Sequence, residues 1–177
     1  MPDRVPTGLV AARLVLGPRN CGKSAAVEAR LAGYPHLLYV GTLWNEPRYG
    51  KTLREHRVRR GDRWDLLEVT GDLEADAHAL AARAAEMGRP GAVLVDGLTT
   101  WAARIAVTHG RMMQGVLDLA ETLAFCARQF PDLVWCWVDA VEEPDAESLP
   151  YARALWKRLR ERVPSLVVET WPPEGTN

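Results

Sequence analysis

The stretch LVLGPRNCGKSAAVEARL, Leu14 to Leu31, constrains the fold more than any other part of the chain. A short apolar run gives way to a loop bounded by Gly17 and Gly22, and Lys23 and Ser24 then open an alanine-rich segment with helical spacing. Gly17, Pro18, Arg19, Asn20, Cys21, Gly22, Lys23 and Ser24 satisfy the G-x-x-x-x-G-K-[ST] pattern, with the strand before it and the helix after it that the pattern requires. The glycines let the backbone curl so that its amides point inward, and the helix N-terminus adds partial positive charge. Lys23 then reaches the terminal phosphates and the Ser24 hydroxyl is suited to ligate Mg²⁺. Such a loop cradles the phosphates of a nucleotide.

The rest of the chain supplies the sheet that this loop needs. Short Val- and Leu-rich runs at Arg13–Leu16, His36–Gly41, Trp64–Val69, Ala92–Asp96, Leu133–Val138 and Leu166–Trp171 read as strands. Between them, helical spacing covers Lys23–Ala32, Arg48–Arg59, Leu73–Met87, Thr100–Arg128 with a break near Gly110, and Ala146–Val163. Parallel neighbours need connections long enough to hold a helix, so strict alternation implies right-handed crossovers. The expected fold is α/β: a P-loop NTPase-like three-layer fold, with a mostly parallel sheet flanked by helices. Runs such as AVLV and LVWCWV fit central strands buried on both faces. Residues 1–172 are expected to form a single nucleotide-binding domain, with 173–177 as a frayed tail.

At 177 residues the chain has room for one sizeable core and little more. Its net charge of −1 gives no overall basic field, so nucleic acid is not the expected partner. Cys21, Cys126 and Cys136 show neither paired spacing nor an accompanying His set, and are expected to be free thiols. Charges interrupt the only apolar stretch near the N-terminus, so no membrane span is expected and the chain reads as cytoplasmic. The seven tryptophans read as core or edge packing, and none is assigned to a ligand.

Two further features bear on chemistry. AVLVDG places Asp96 at the end of an apolar strand, where a carboxylate beside a phosphate loop can hold Mg²⁺ directly or through water. YGKTLREHRVRRGDRW sets Lys51, Arg54, Arg57, Arg59, Arg60 and Arg63 around His56. That composition suits a solvated helix face as well as a phosphate-binding or nucleic-acid patch. A neutral imidazole there is also able to attack phosphorus and form a phosphoramidate, with the guanidiniums offsetting phosphate charge.

In their order and spacing, GPRNCGKS, LLYVGT, LREHRVRRGDRW, LLE and VLVDGLTTW resemble the bifunctional adenosylcobinamide kinase and adenosylcobinamide-phosphate guanylyltransferase family of cobalamin biosynthesis, over about the first 100 residues. The resemblance places the guanylylated histidine on His56 and the nucleotide-contacting stretch on Arg57, Val58, Arg59 and Arg60. It places a further acid on Glu68, the strand-end acid on Asp96, and a small-Thr segment on Gly41 and Thr42. Two segments depart from the family pattern: WNEPRYGKTL replaces an Asp-Glu-Met run followed by Arg-Ile, and WVDAVEEPDAESLPYARALWKRL replaces Thr-Asn-Glu-Val-Gly and Gly-Ile-Val-Pro.

The resemblance implies an enzyme that uses ATP or GTP with Mg²⁺, takes a corrinoid as small-molecule substrate, and forms a homo-oligomer such as a trimer. His56 and Lys23 would be catalytic, with Ser24 and Asp96 at the metal. The residues alone leave open a P-loop kinase of another small metabolite, a member with only one activity, and a nucleotide-binding module without transferase chemistry.

Overall fold

Alternating β-branched runs and helical segments resolve into the elements that their spacing predicts. The computed structural model describes residues 11–43, 47–140 and 149–173. In chain order the elements are β1 (Ala11–Gly17), α1 (Lys23–Leu31), β2 (His36–Gly41), α2 (Gly50–Arg60), β3 (Trp64–Glu68), α3 (Leu73–Glu86), β4 (Gly91–Asp96), α4 (Leu98–His109), α5 (Met112–Gln129), β5 (Leu133–Ala140), α6 (Leu149–Arg162) and β6 (Val167–Thr170). The expected long fourth helix does break at Gly110, whose N–H donates to the Ala106 carbonyl and ends α4. The expected tail beyond Pro173, the residues before Ala11, Trp44 and positions 141–148 lie outside the described residues.

The sheet runs in the order β3-β2-β4-β5-β1-β6, and every pairing is parallel. Each strand points its side chains alternately to opposite faces, and here both faces are covered. Leu14, Leu38, Val40, Val93, Val95, Trp135 and Trp137 face one core with α3, α4, α5 and α6. Val15, Leu37, Tyr39, Leu94, Cys136 and Val138 face a second core that Val27 and Leu31 of α1 close. Two-sided burial is why these strands are apolar at successive positions, and why their sequence cannot show which face a residue takes. Trp101, Trp135 and Trp137 are fully buried, in keeping with a packing role. The three cysteines are free thiols.

Register decides where chemistry can be assembled. Gly17 pairs with Ala140, Asp96 with both Val138 and Gly41, and Gly41 with Glu68. The ends of β1, β5, β4, β2 and β3 therefore lie along one edge of the sheet, the carboxyl edge at which open parallel sheets bind ligands. Among the described residues no helix is long and apolar enough to cross a membrane.

Candidate functional site

The phosphate loop leaves β1 at Gly17 and turns into α1 at Lys23. Asn20 (φ 54°) and Gly22 (φ 85°) both take the left-handed backbone region. Asn is one of the few residues with a side chain that visits it readily, and Gly does so without steric cost. Lys23 is buried, and its Nζ donates to the Pro18 carbonyl at 2.7 Å, so the ammonium lies folded against the loop that it would serve.

From the neighbouring strands come the acid and its supports. Ser24 Oγ donates to Asp96 Oδ1 at 2.9 Å, and Tyr39 Oη donates to Asp96 Oδ2 at 2.8 Å. Burial, reinforced by the adjacent Asp96 carboxylate, pushes the Tyr39 phenol well above its ordinary pKa, so it stays a hydrogen-bond donor. The Thr42 hydroxyl lies 2.7 Å from the Asp96 carbonyl and 2.9 Å from that of Gly97, which ties the end of β2 to the end of β4.

Helix α2 has no buried residue of its own, so apolar packing does not hold it in place. Charge does. Arg59 donates twice to Glu28 of α1, Nε at 2.7 Å and Nη2 at 2.8 Å, a paired geometry that fixes orientation as well as distance. At the next residue, the Arg60 guanidinium lies 3.5 Å over the centroid of the Tyr39 ring. Its Nη1 is 3.8 Å from Glu28 Oε1 and has no hydrogen-bond partner among the described residues, although the side chain is only 7% exposed. His56 shares this face, three and four residues before the two arginines. Burial holds the imidazole below its usual pKa; Arg59 and Arg60 lower it further, against the opposing pull of Asp96 and Glu28.

These parts open onto one cleft of about 790 Å³. Of the residues expected from sequence, Arg19, Asn20, Cys21, Gly22, Lys23, Ser24, Gly41, Thr42, His56, Arg57, Arg59, Arg60, Glu68 and Asp96 line it. Gly17 and Pro18 shape the loop without lining the cleft, and Val58 is 83% exposed on the other side of α2. Glu68 accepts from Arg57 Nη2 at 3.1 Å at the rim.

Ser24 Oγ and Asp96 Oδ1, already within hydrogen-bond distance, form a pair of hard oxygen donors that fits Mg²⁺. Among the described residues no three His, Cys, Asp or Glu side chains converge, so the cation would complete its shell from water and phosphate, as Mg²⁺ in nucleotide sites usually does. Asp96→Asn is accordingly expected to raise the Mg²⁺ concentration needed for half-maximal turnover about tenfold or more, while metal-free nucleotide binding changes little. Titration of each with the variant checks this, and an unchanged Mg²⁺ response would leave Asp96 a purely structural role.

The sequence pattern of a family described as cobinamide kinase / cobinamide phosphate guanyltransferase matches residues 13–136. That span covers well over half of the chain, including the loop, His56 and Asp96. The chain belongs to that family. The match ends at residue 136, three positions before Asp139. No curated protein matches the chain in sequence. In structure it is similar to a protein described as a prototypical ATPase from the type III secretion system of pathogenic bacteria. The TM-score is 0.58 at 14% identity, over 89% of this chain and 50% of that one. The chain thus spans half the length of that ATPase, and the likeness shows a shared α/β fold.

Four residues at the site carried no sequence signal of their own. Tyr39 is one apolar-run residue among several, and Glu28 one acid in an alanine-rich helix; only the fold brings them to Asp96 and Arg59. Asp139, 2% exposed, accepts from the Thr99 backbone N–H and hydroxyl and from Trp156 Nε1, joining β5 to the start of α4 and to α6. Burial raises its pKa against the pull of those donors. Thr99 and Asp139 both line the cleft opposite α2.

Proposed function

We infer that this chain phosphorylates the aminopropanol hydroxyl of adenosylcobinamide with a nucleoside triphosphate, and then transfers GMP from GTP to that phosphate through guanylylated His56. One observation carries the reading: a half-buried imidazole held below its ordinary pKa opens onto the same cleft as a phosphate loop and a strand-end carboxylate. Transfer through a covalent intermediate requires such a nucleophile, whereas the kinase step does not. Family membership supports the corrinoid as acceptor.

In the first reaction Lys23 and the loop amides bind the phosphates, while Ser24 and Asp96 would hold Mg²⁺. Mg²⁺ would offset charge on the transferring phosphoryl group. In the second, a ring nitrogen of His56 bonds to the α-phosphorus of GTP as the bond to the bridging oxygen breaks and pyrophosphate leaves. An oxygen of the corrinoid phosphate then attacks the same phosphorus and releases the imidazole. Arg59 and Arg60, fixed by Glu28 and Tyr39, face the charge that develops during both displacements.

Adenosylcobinamide incubated with the protein, Mg²⁺ and ATP or GTP is expected to gain one phosphate, read by mass spectrometry. Phosphorylation of a different alcohol with none of the corrinoid would replace the acceptor. The second reading, a kinase of another small metabolite, is favoured by the departure of the chain from the family pattern after Val138, where α4, β5 and α6 meet the cleft.

A further inference from the structure

Trp171 stands just past β6, outside the residues matched by the family, and reads in the sequence as packing. It meets the phosphate loop and the strand residue before it at three points. Its backbone N–H donates to the Leu16 carbonyl at 2.7 Å, extending the β1–β6 ladder to the foot of the loop. Its carbonyl oxygen occupies the place that a Cβ at position 17 would take, so the loop's first residue must be glycine while the strand end stays where it is. Its indole Nε1–H donates to the Cys21 carbonyl at 3.0 Å, inside the loop itself. The strand leading to Trp171 is anchored to the elements on either side of the loop, because Glu169 accepts from Arg13 of β1 and from Arg30 of α1.

The third contact bears on phosphate binding. A trans peptide is planar, so its C=O and the N–H that follows point to opposite sides. When the indole holds the Cys21 carbonyl toward the sheet edge, the Gly22 N–H in the same peptide must point the other way. Cys21 and Gly22 line the cleft and Trp171 does not. A phosphate cradle works by turning successive N–H groups onto the anion. Left-handed backbone at Asn20 and at Gly22, either side of Cys21, makes this peptide one whose orientation the loop alone fixes weakly. The indole supplies an external partner for one orientation, the one that presents the amide to a ligand.

We propose that Trp171 is a positioning residue for the phosphate loop: its indole N–H holds the Cys21 carbonyl outward, keeps the Gly22 amide facing the cleft, and so sets affinity for a polyphosphate chain. The proposal rests on the reading that this loop binds triphosphate, and it is indifferent to the base and to the acceptor.

Inorganic tripolyphosphate is the direct probe, with GTP beside it, titrated by calorimetry into the full chain and into Trp171→Phe, which keeps an aromatic ring and loses the donor. Both ligands are expected to bind the variant about five- to tenfold more weakly, by the same factor, as loss of one hydrogen bond's worth of preorganisation implies. A variant that melts earlier yet binds tripolyphosphate as the wild type does would reduce Trp171 to a structural prop and overturn the proposal. Nitrogen-15 spectra of the wild type give a test that needs no variant. The Trp171 indole and Gly22 amide resonances should both shift with tripolyphosphate along one binding curve, and an indole that stays still while the loop amides move would also overturn it. Should the wild type bind no tripolyphosphate, the phosphate-loop reading itself falls, an outcome distinct from binding that Trp171→Phe leaves intact.

Discussion

Lys23→Ala is expected to cut triphosphate-dependent turnover about 10²- to 10³-fold, the usual cost of removing one preorganised group that meets charge in the transition state. The fold should survive. Lys23 belongs to neither apolar core, and its only side-chain hydrogen bond among the described residues is to the Pro18 carbonyl of the loop. Exchanging that neutral acceptor for an anionic phosphate oxygen adds the attraction of opposite charges to the contact. Lys23→Arg is expected to rescue little, because a planar guanidinium needs more room than a site that leaves the lysine only 7% exposed. Calorimetric titration with nucleotide and circular dichroism check the two halves of the prediction separately. Native affinity and turnover in the alanine variant would end the assignment of residues 17–24 as a phosphate cradle.

Local features were the legible part of this molecule. The loop announces itself because every element of it is contiguous: strand, turn, lysine, hydroxyl and helix lie within eighteen residues. Strand and helix order followed from composition for the same reason, with boundaries within a few residues of those observed. The partners across the fold were not legible. Glu28 and Arg59 are 31 positions apart, and Tyr39 and Asp96 57 apart. Spacing along a chain says nothing about pairs whose meeting depends on strand order and register. Two-sided burial hid Tyr39 as well, since a strand apolar at every position shows no period by which to tell the face toward α2 from the face toward α5. The family resemblance placed Val58 with its neighbours in a nucleotide-contacting stretch, while the helical turn leaves it exposed and outside the cleft lining. The resemblance supplied the position of His56; the structure adds the means by which α2, without buried residues, is nevertheless held beside the loop.

That electrostatic tether bears directly on His56. Incubation with GTP and Mg²⁺, without corrinoid, is expected to attach one GMP per site through an acid-labile phosphorus–nitrogen bond that peptide mapping locates at His56. His56→Ala should lose the adduct and with it GMP transfer, a fall of about 10³-fold or more because no other group replaces a nucleophile. Phosphorylation of the acceptor should persist, since the loop, Ser24 and Asp96 remain in place. The pH dependence follows from the surroundings of the imidazole. Only its neutral form attacks phosphorus, and burial, with Arg59 and Arg60, moves protonation below the ordinary value of 6.5. The acid limb of adduct formation should therefore lie at lower pH than an ordinary imidazole would set. Arg59→Gln removes one of the lowering cations and frees the Glu28 carboxylate, so both changes raise the histidine pKa and should move the acid limb upward. Full guanylylation in His56→Ala, or GMP mapped to another residue, would remove the histidine from the reaction; an active wild type that never carries GMP would leave a kinase in which the charge tether of α2 serves phosphate binding alone.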